Sequence, residues 1–178
     1  MDILIKNATE KDAESVAWVI FAALDEYSRA SEKMLGVCSE SDTLYSYDKM
    51  RLVYVDGKIA GGLLSYEGKE YSRLREKTWE RCWDESPEIL KAIGQECFAG
   101  EYYLDSMALL PEYRKMGLGK KLVLDAVEIA KSKGCQYVTL LADKQKSGLV
   151  SYYQSIGFEI FDSMIYFGHD YWRMRIIL

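Results

Sequence analysis

Apolar positions change period several times along the chain, and each change marks an element. Ile3 and Ile5 alternate with other residues, as in a short strand. From Ala13 the spacing lengthens: Ala13, Val16, Ala17, Ile20, Ala23 and Leu24 share one helical face, and Thr9 with Asp12 resembles a capping box with the shorter acid. Residues 27–50 are polar and mixed, with Ser41 or Asp42 as the cap of another short helix. Leu52, Val53 and Val55 form a strand, Asp56-Gly57 signals a hairpin turn, and Ile59 to Tyr66 returns as the next strand.

Residues 67–100 then separate two strands, a span too long for an unstructured loop in a compact domain. Tyr71, Leu74, Arg75, Thr78, Trp79 and Trp83 predict a helix from about Glu70 to Asp84. Pro87 suits the first turn of a second helix through Ile89, Leu90 and Ile93. The apolar run Leu104 to Leu110 is a buried strand that stops at Pro111, and Leu118, Leu122, Ala126 and Ile129 start the next helical face. Beyond the Gly134 stop signal, Tyr137 to Ala142 is a strand and Ser147 to Gly157 a short helix. Phe158 to Met164 pairs with Tyr171 to Leu178 as a hairpin. Only residues 103–142 form a strand–helix–strand crossover, so one parallel pair is expected in a sheet that is otherwise antiparallel.

The join between central strand and helix carries the chemistry. Arg114-Lys115-Met116-Gly117-Leu118-Gly119 sets two glycines beside a helix N-terminus, with Lys120 and Lys121 adding charge. Unpaired N–H groups and the positive end of the helix dipole converge there, which predicts a cradle for phosphate or pyrophosphate. A nucleotide P-loop would need Ser or Thr at Lys121 and glycine at Arg114; a dinucleotide loop would need glycine at Leu122. Arg114, Gly117 and Gly119 instead satisfy Arg/Gln-x-x-Gly-x-Gly/Ala. In this setting the segment resembles the GNAT superfamily of N-acetyltransferases, whose loop binds the pyrophosphate of acetyl-CoA. A second motif, Tyr153-Gln154-Ser155-Ile156-Gly157-Phe158, resembles the family signature Tyr-x-x-x-Gly-Phe. The likeness covers almost the whole chain and is sharpest over 103–158.

Composition narrows the rest. The chain has 178 residues, 49% hydrophobic and 29% charged, the size and make-up of one globular domain. A net charge of −5 without a long basic run argues against nucleic-acid binding, and no apolar run is long enough for a membrane span. The N-terminus lacks the apolar segment of a signal peptide, so a cytoplasmic protein with reduced thiols is expected. Cys38, Cys82, Cys97 and Cys135 are scattered and His169 is the only histidine, so no metal is expected. His169 itself reads as a residue of the turn between the last two strands.

The resemblance implies a GNAT-like α/β fold, a mixed and mostly antiparallel sheet of six or seven strands flanked by helices. The helical insert lies between the third and fourth strands, within a single domain of residues 1–178. The cosubstrate implied is acetyl-CoA. Backbone groups of Met107 and Leu109 would hold its pantetheine in the gap between the two parallel strands. Arg114, Lys115, Met116, Gly117, Leu118, Gly119 and Lys120 would hold its pyrophosphate. Lys146, where the family often has Asn, is placed to reach a CoA phosphate. Tyr153 maps onto the tyrosine near the thioester sulfur, where a phenol can hydrogen-bond to or protonate a departing thiolate.

The proton acceptor is left among Asp105, Glu101, Glu67 and water. Asp105 is favoured because simple strand alternation gives it the same side-chain parity as Met107 and Leu109. Glu67 and Glu101 are the candidates at the acceptor pocket, and their charge favours a cationic amine. The expectation is a small-molecule primary amine acetylated by direct attack in a ternary complex, with a homodimer left open. A GNAT-like acyl-CoA sensor without turnover and a protein-lysine acetyltransferase are the alternatives; the insert favours an enclosed pocket over an open peptide groove.

Overall fold

The period changes become elements in the computed structural model, which describes residues 1–24, 31–82, 88 and 92–178. Strand β1 is Ile3–Asn7. The Thr9 N–H and hydroxyl both donate to Asp12 Oδ2 at 2.8 Å, closing the expected box ahead of helix α1, Ala13–Ala23. Helix α2, Glu32–Ser39, follows, capped by the Ser31 hydroxyl on the Met34 N–H. Strands β2 (Met50–Val55) and β3 (Lys58–Glu67) flank the Asp56-Gly57 turn, and helix α3 is Tyr71–Cys82. Central strand β4 is Glu101–Leu109 and helix α4 is Leu118–Ser132. Strand β5 (Tyr137–Asp143), helix α5 (Ser147–Ile156) and the hairpin β6 (Glu159–Tyr166) and β7 (His169–Ile177) complete the chain.

One expectation is corrected here. No helix starts at Ser41 or Asp42: Asp42 has a left-handed φ of 68° and its carboxylate is held by Arg73 and Lys77 of α3. The helix of that region begins ten residues earlier, at Glu32, where its mixed composition around Gly36 hides the period. The second insert helix, expected from Pro87 through Ile89, Leu90 and Ile93, falls mostly outside the described residues.

The strands form one sheet in the order β1-β2-β3-β4-β5-β7-β6. Every pairing is antiparallel except β4 with β5, the join across the single crossover. One face buries Val16, Ile20, Leu52, Leu64, Tyr66, Tyr71 and Tyr103 with α1, α2 and α3. The other buries Val53, Leu63, Leu104, Leu118, Leu122, Val138 and Met174 with α4 and α5. Arg51 of β2 grips Asp125 of α4 through two hydrogen bonds at 2.7 and 2.9 Å, fixing the helix whose N-terminus carries the glycines. No described helix is long and apolar enough to cross a membrane.

Candidate active site

The parallel pair is short, and that opens the site. Register runs only through Glu101–Tyr137, Tyr102–Val138 and Tyr103–Thr139. From Leu104 onward the edge of β4 that faces β5 has no strand partner among the described residues, so the strands splay towards their C-terminal ends. Met107 and Leu109 lie along this free stretch.

At the mouth of the gap, the turn after Pro111 leads into α4 through Lys115 (φ 63°) and Gly117 (φ 75°). Alternating left-handed residues turn successive N–H groups to one side, the geometry of an anion nest. The first helical hydrogen bond, Lys121 N–H to the Gly117 carbonyl at 3.2 Å, leaves the N–H groups of Leu118, Gly119 and Lys120 without a partner inside the helix. The first turn contains no acid, against the preference set by the dipole. Lys115, Lys120 and Lys121 make no ion pair with a described residue, and the Arg114 guanidinium bonds only the Leu109 carbonyl, at 3.1 Å. Positive charge left uncompensated at a helix N-terminus fits a bound anion.

Gly119 is part of the shape. A Cβ there would meet the Tyr152 hydroxyl at 2.7 Å and the Met107 side chain at 3.6 Å, so α4, α5 and β4 approach one another across its missing side chain. The neighbouring Tyr153 packs edge-on against Phe158, ring centroids 5.5 Å apart. Burial pushes its hydroxyl ionisation up, with Tyr152 adding a smaller push, and no described residue hydrogen-bonds to it. A half-buried phenol that stays protonated and has no partner among the described residues is free to donate to a bound molecule. Lys146 begins α5 beyond β5, and its charge reaches the Tyr171 phenol, on the β5–β7 side of the gap.

On the opposite face lies a pair of acids, Asp105 partly exposed and Glu96 buried. Opposite β3 the register of β4 jumps from Leu64–Ser106 to Ser65–Leu104, leaving Asp105 as the extra residue of a bulge. The parity of β4 therefore reverses at Asp105. Tyr102, Leu104, Met107 and Leu109 pack towards α4, while Tyr103 and Ala108 pack towards α1. The expectation that Asp105 shares a face with Met107 and Leu109 is corrected: its carboxylate accepts from the Tyr66 hydroxyl at 2.5 Å and the Ser106 hydroxyl at 2.6 Å, on the α1 side. Burial holds its ionisation above the ordinary carboxyl range, and those two hydrogen bonds partly offset the rise.

Glu96, in the insert, lies close by and is 9% exposed. It accepts from the hydroxyls of Tyr103 (2.7 Å), Tyr166 (2.8 Å) and Tyr71 (3.0 Å). Burial first, and then the Asp105 charge, push it up to about 7.

The sequence profile of the acetyltransferase (GNAT) family matches residues 23–158, spanning the nest, the splayed strands and the Tyr153 motif. The chain belongs to the GNAT acetyltransferase family. A 56-residue stretch is 39% identical to the glucosamine 6-phosphate N-acetyltransferase of Trypanosoma brucei brucei, over 32% of this chain and 36% of that one. The chain thus matches little more than a third of that relative's length. A crystal structure described as an acetyltransferase superposes with a TM-score of 0.76 at 26% identity, over 98% of both chains. The PaiA N-acetyltransferase of Thermoplasma acidophilum, solved with coenzyme A, shares the fold over the full length of both chains, with a TM-score of 0.59 at 20% identity.

Within the GNAT fold, Glu101 and Glu67 have other partners. Glu101 is buried and accepts from Arg173 at 2.6 Å and from Thr139 and the Phe98 N–H at 3.1 Å each, so it clamps β4, β5 and β7. Glu67 pairs with Lys133 at 2.6 Å and Lys69 at 2.9 Å on the surface. Neither contacts Asp105. Glu96 escaped the sequence because Ile93 to Phe98 has neither strand nor helix period, and a lone acid there reads as a surface charge. Its signal was indirect, in the tyrosines at 66, 71, 103 and 166, whose hydroxyls need partners once buried.

Proposed function

We propose that the protein transfers the acetyl group of acetyl-CoA to a primary amine of a small molecule, by direct attack with both reactants bound. The observation that carries this reading is the nest at Lys115–Gly119 opening onto the unpaired edge of β4, with the unpartnered Tyr153 hydroxyl nearby. The residues suit the cosubstrate. Arg114, Lys120 and the N–H groups of Lys115 to Gly119 would hold the pyrophosphate, with Lys146 across the mouth. Backbone groups of Met107 and Leu109 would hold the pantetheine along β4. Acetyl-CoA supplies an acyl group activated as a thioester.

The protein's residues then have three tasks. The nest and strand edge fix one reactant, removing the entropic cost of encounter from the chemical step. Asp105 takes a proton from the incoming ammonium, which must become a neutral amine to attack; burial raises its ionisation towards the range a general base needs. Tyr153, kept protonated by burial, donates a hydrogen bond to the departing sulfur. Donors pre-positioned for developing charge are each worth about 3 kcal/mol when removed. Burial pushes the Cys38 thiol up to about 12 and Cys82 up to about 11. At neutral pH they are poor nucleophiles, which favours direct transfer over an acetyl-cysteine.

The test is release of free thiol from acetyl-CoA against a panel of primary amines. Amine-dependent release supports the transferase. Tight acetyl-CoA binding without release would favour a sensor, and release only with lysine peptides a protein acetyltransferase.

A further inference from the structure

The acid pair has a feature that the transfer step alone does not require. Among the described residues, Asp105 receives hydrogen bonds from Tyr66 and Ser106 alone, and Glu96 from Tyr71, Tyr103 and Tyr166 alone. Neither carboxylate makes an ion pair with a described residue. Buried charges in folded proteins are normally paired with an opposite charge. Here every partner is a neutral hydroxyl. The rings that carry these hydroxyls join the two acids into one unit: Tyr66 lies 6.1 Å from Tyr71 and 5.8 Å from Tyr103, centroid to centroid.

Tyr45 supplies an independent observation. It is 9% exposed, its hydroxyl has no hydrogen-bond partner among the described residues, and after burial itself the charges of Asp105 and then Glu96 do most to push its ionisation up. A buried hydroxyl left without a partner forfeits about 1–3 kcal/mol unless something else satisfies it. Two carboxyls with no ion pair to a described residue, an unsatisfied hydroxyl on which their charge acts and tyrosine rings packed among them have the complementarity of a site for an alkylammonium group.

We propose that Glu96 and Asp105, walled by Tyr45, Tyr66 and Tyr71, form the acceptor subsite, and that Glu96 selects amines whose scaffold carries no anionic group. Asp105 faces the nitrogen to be acetylated. Above about pH 7, where it is ionised, Glu96 adds a second negative charge that draws a cationic amine in and repels carboxylate or phosphate on the same molecule. The assignment rests on the acetyltransferase reading above and names the substrate class for it.

The experiment compares butylamine with 4-aminobutyrate, which has the same chain length and an added carboxylate, using thiol release with saturating acetyl-CoA. Wild-type protein is expected to favour butylamine in kcat/KM by about 100-fold or more, the scale of like-charge repulsion at a buried site. Glu96→Gln should raise KM for butylamine about tenfold, shrink that preference and leave acetyl-CoA affinity unchanged. Tyr45→Phe removes a hydroxyl that bonds no described residue. It should leave the melting temperature intact and raise KM about threefold. If Glu96→Gln does not fold, Tyr45→Phe decides alone. Equal use of both amines by the wild type, or unchanged KM in the folded variants, overturns the subsite. A wild type that binds acetyl-CoA yet releases no thiol with any primary amine overturns the acetyltransferase reading instead.

Discussion

The Tyr66 hydroxyl donates to Asp105 at 2.5 Å across the β3–β4 ladder, at the point where Asp105 bulges out of register. This bond stabilises the ionised carboxylate and works against the burial that raises its ionisation. Tyr66→Phe should therefore raise Asp105 further, moving the acid limb of the kcat/KM profile to higher pH. The stability loss should be about 1 kcal/mol. A pH–rate profile superimposable on the wild type would separate Asp105 from the proton transfer.

Tyr153 and its neighbour Tyr152 make a controlled comparison. The Tyr153 hydroxyl bonds no described residue, so Tyr153→Phe should unfold at the wild-type temperature or slightly above it. Its kcat should fall about 10- to 100-fold, with acetyl-CoA affinity kept. Tyr152→Phe should have a kcat within about threefold of wild type, its hydroxyl lying against Gly119. The reverse order of effects would move the thiolate donor to Tyr152.

Glu101 gives a different signature. Arg173→Met leaves its carboxylate buried without a counter-ion and should cost about 3–5 kcal/mol in urea unfolding. Glu101→Gln should destabilise as well, while KM for the amine in the folded protein stays at the wild-type value. A large KM change with little loss of stability would restore Glu101 to the acceptor site.

Stability should also depend on pH in an unusual direction. Glu96 ionises near 4.5 in the unfolded chain and at about 7 when folded, so between these values the native state holds the extra proton. Its effect is absent below about pH 4.5, and stability falls as pH rises through the window, by on the order of 3 kcal/mol when complete. Asp105 adds a loss of the same sign. Glu96→Gln should flatten the decline between pH 5 and 8 in urea titrations. An equally steep decline in the variant would show that Glu96 does not carry it.

These groups differ in how far the sequence exposed them. Gly117 and Gly119 were readable because a helix N-terminus that lets an anion approach closely asks for glycine at fixed spacing, while Tyr153 was singled out by its resemblance to the family signature ending in Gly157-Phe158. The two hairpins and the one parallel pair followed from the Asp56-Gly57 turn, the alternation of the last two strands and the single crossover. The face of Asp105 was not readable: a bulge adds one residue and reverses parity without any signature residue in Leu104-Asp105-Ser106. Glu96 was hidden for a related reason. Its three tyrosine donors lie 25 residues before, 7 after and 70 after it, so only the folded sheet brings them together. The partners of Glu101 were likewise invisible, since Arg173 is 72 residues away.

The central claim is that the loop from Arg114 to Gly119 holds acetyl-CoA, and calorimetric titration of acetyl-CoA tests it most directly. Wild-type protein should bind with a Kd in the micromolar range or tighter, the range expected for a nucleotide-sized ligand. Gly117→Glu, which sets a carboxylate at the nest and forces a left-handed φ on a residue with a Cβ, should abolish binding while the protein stays folded by circular dichroism. A wild type that does not bind acetyl-CoA, or a folded Gly117→Glu protein that binds it equally well, would contradict the assignment.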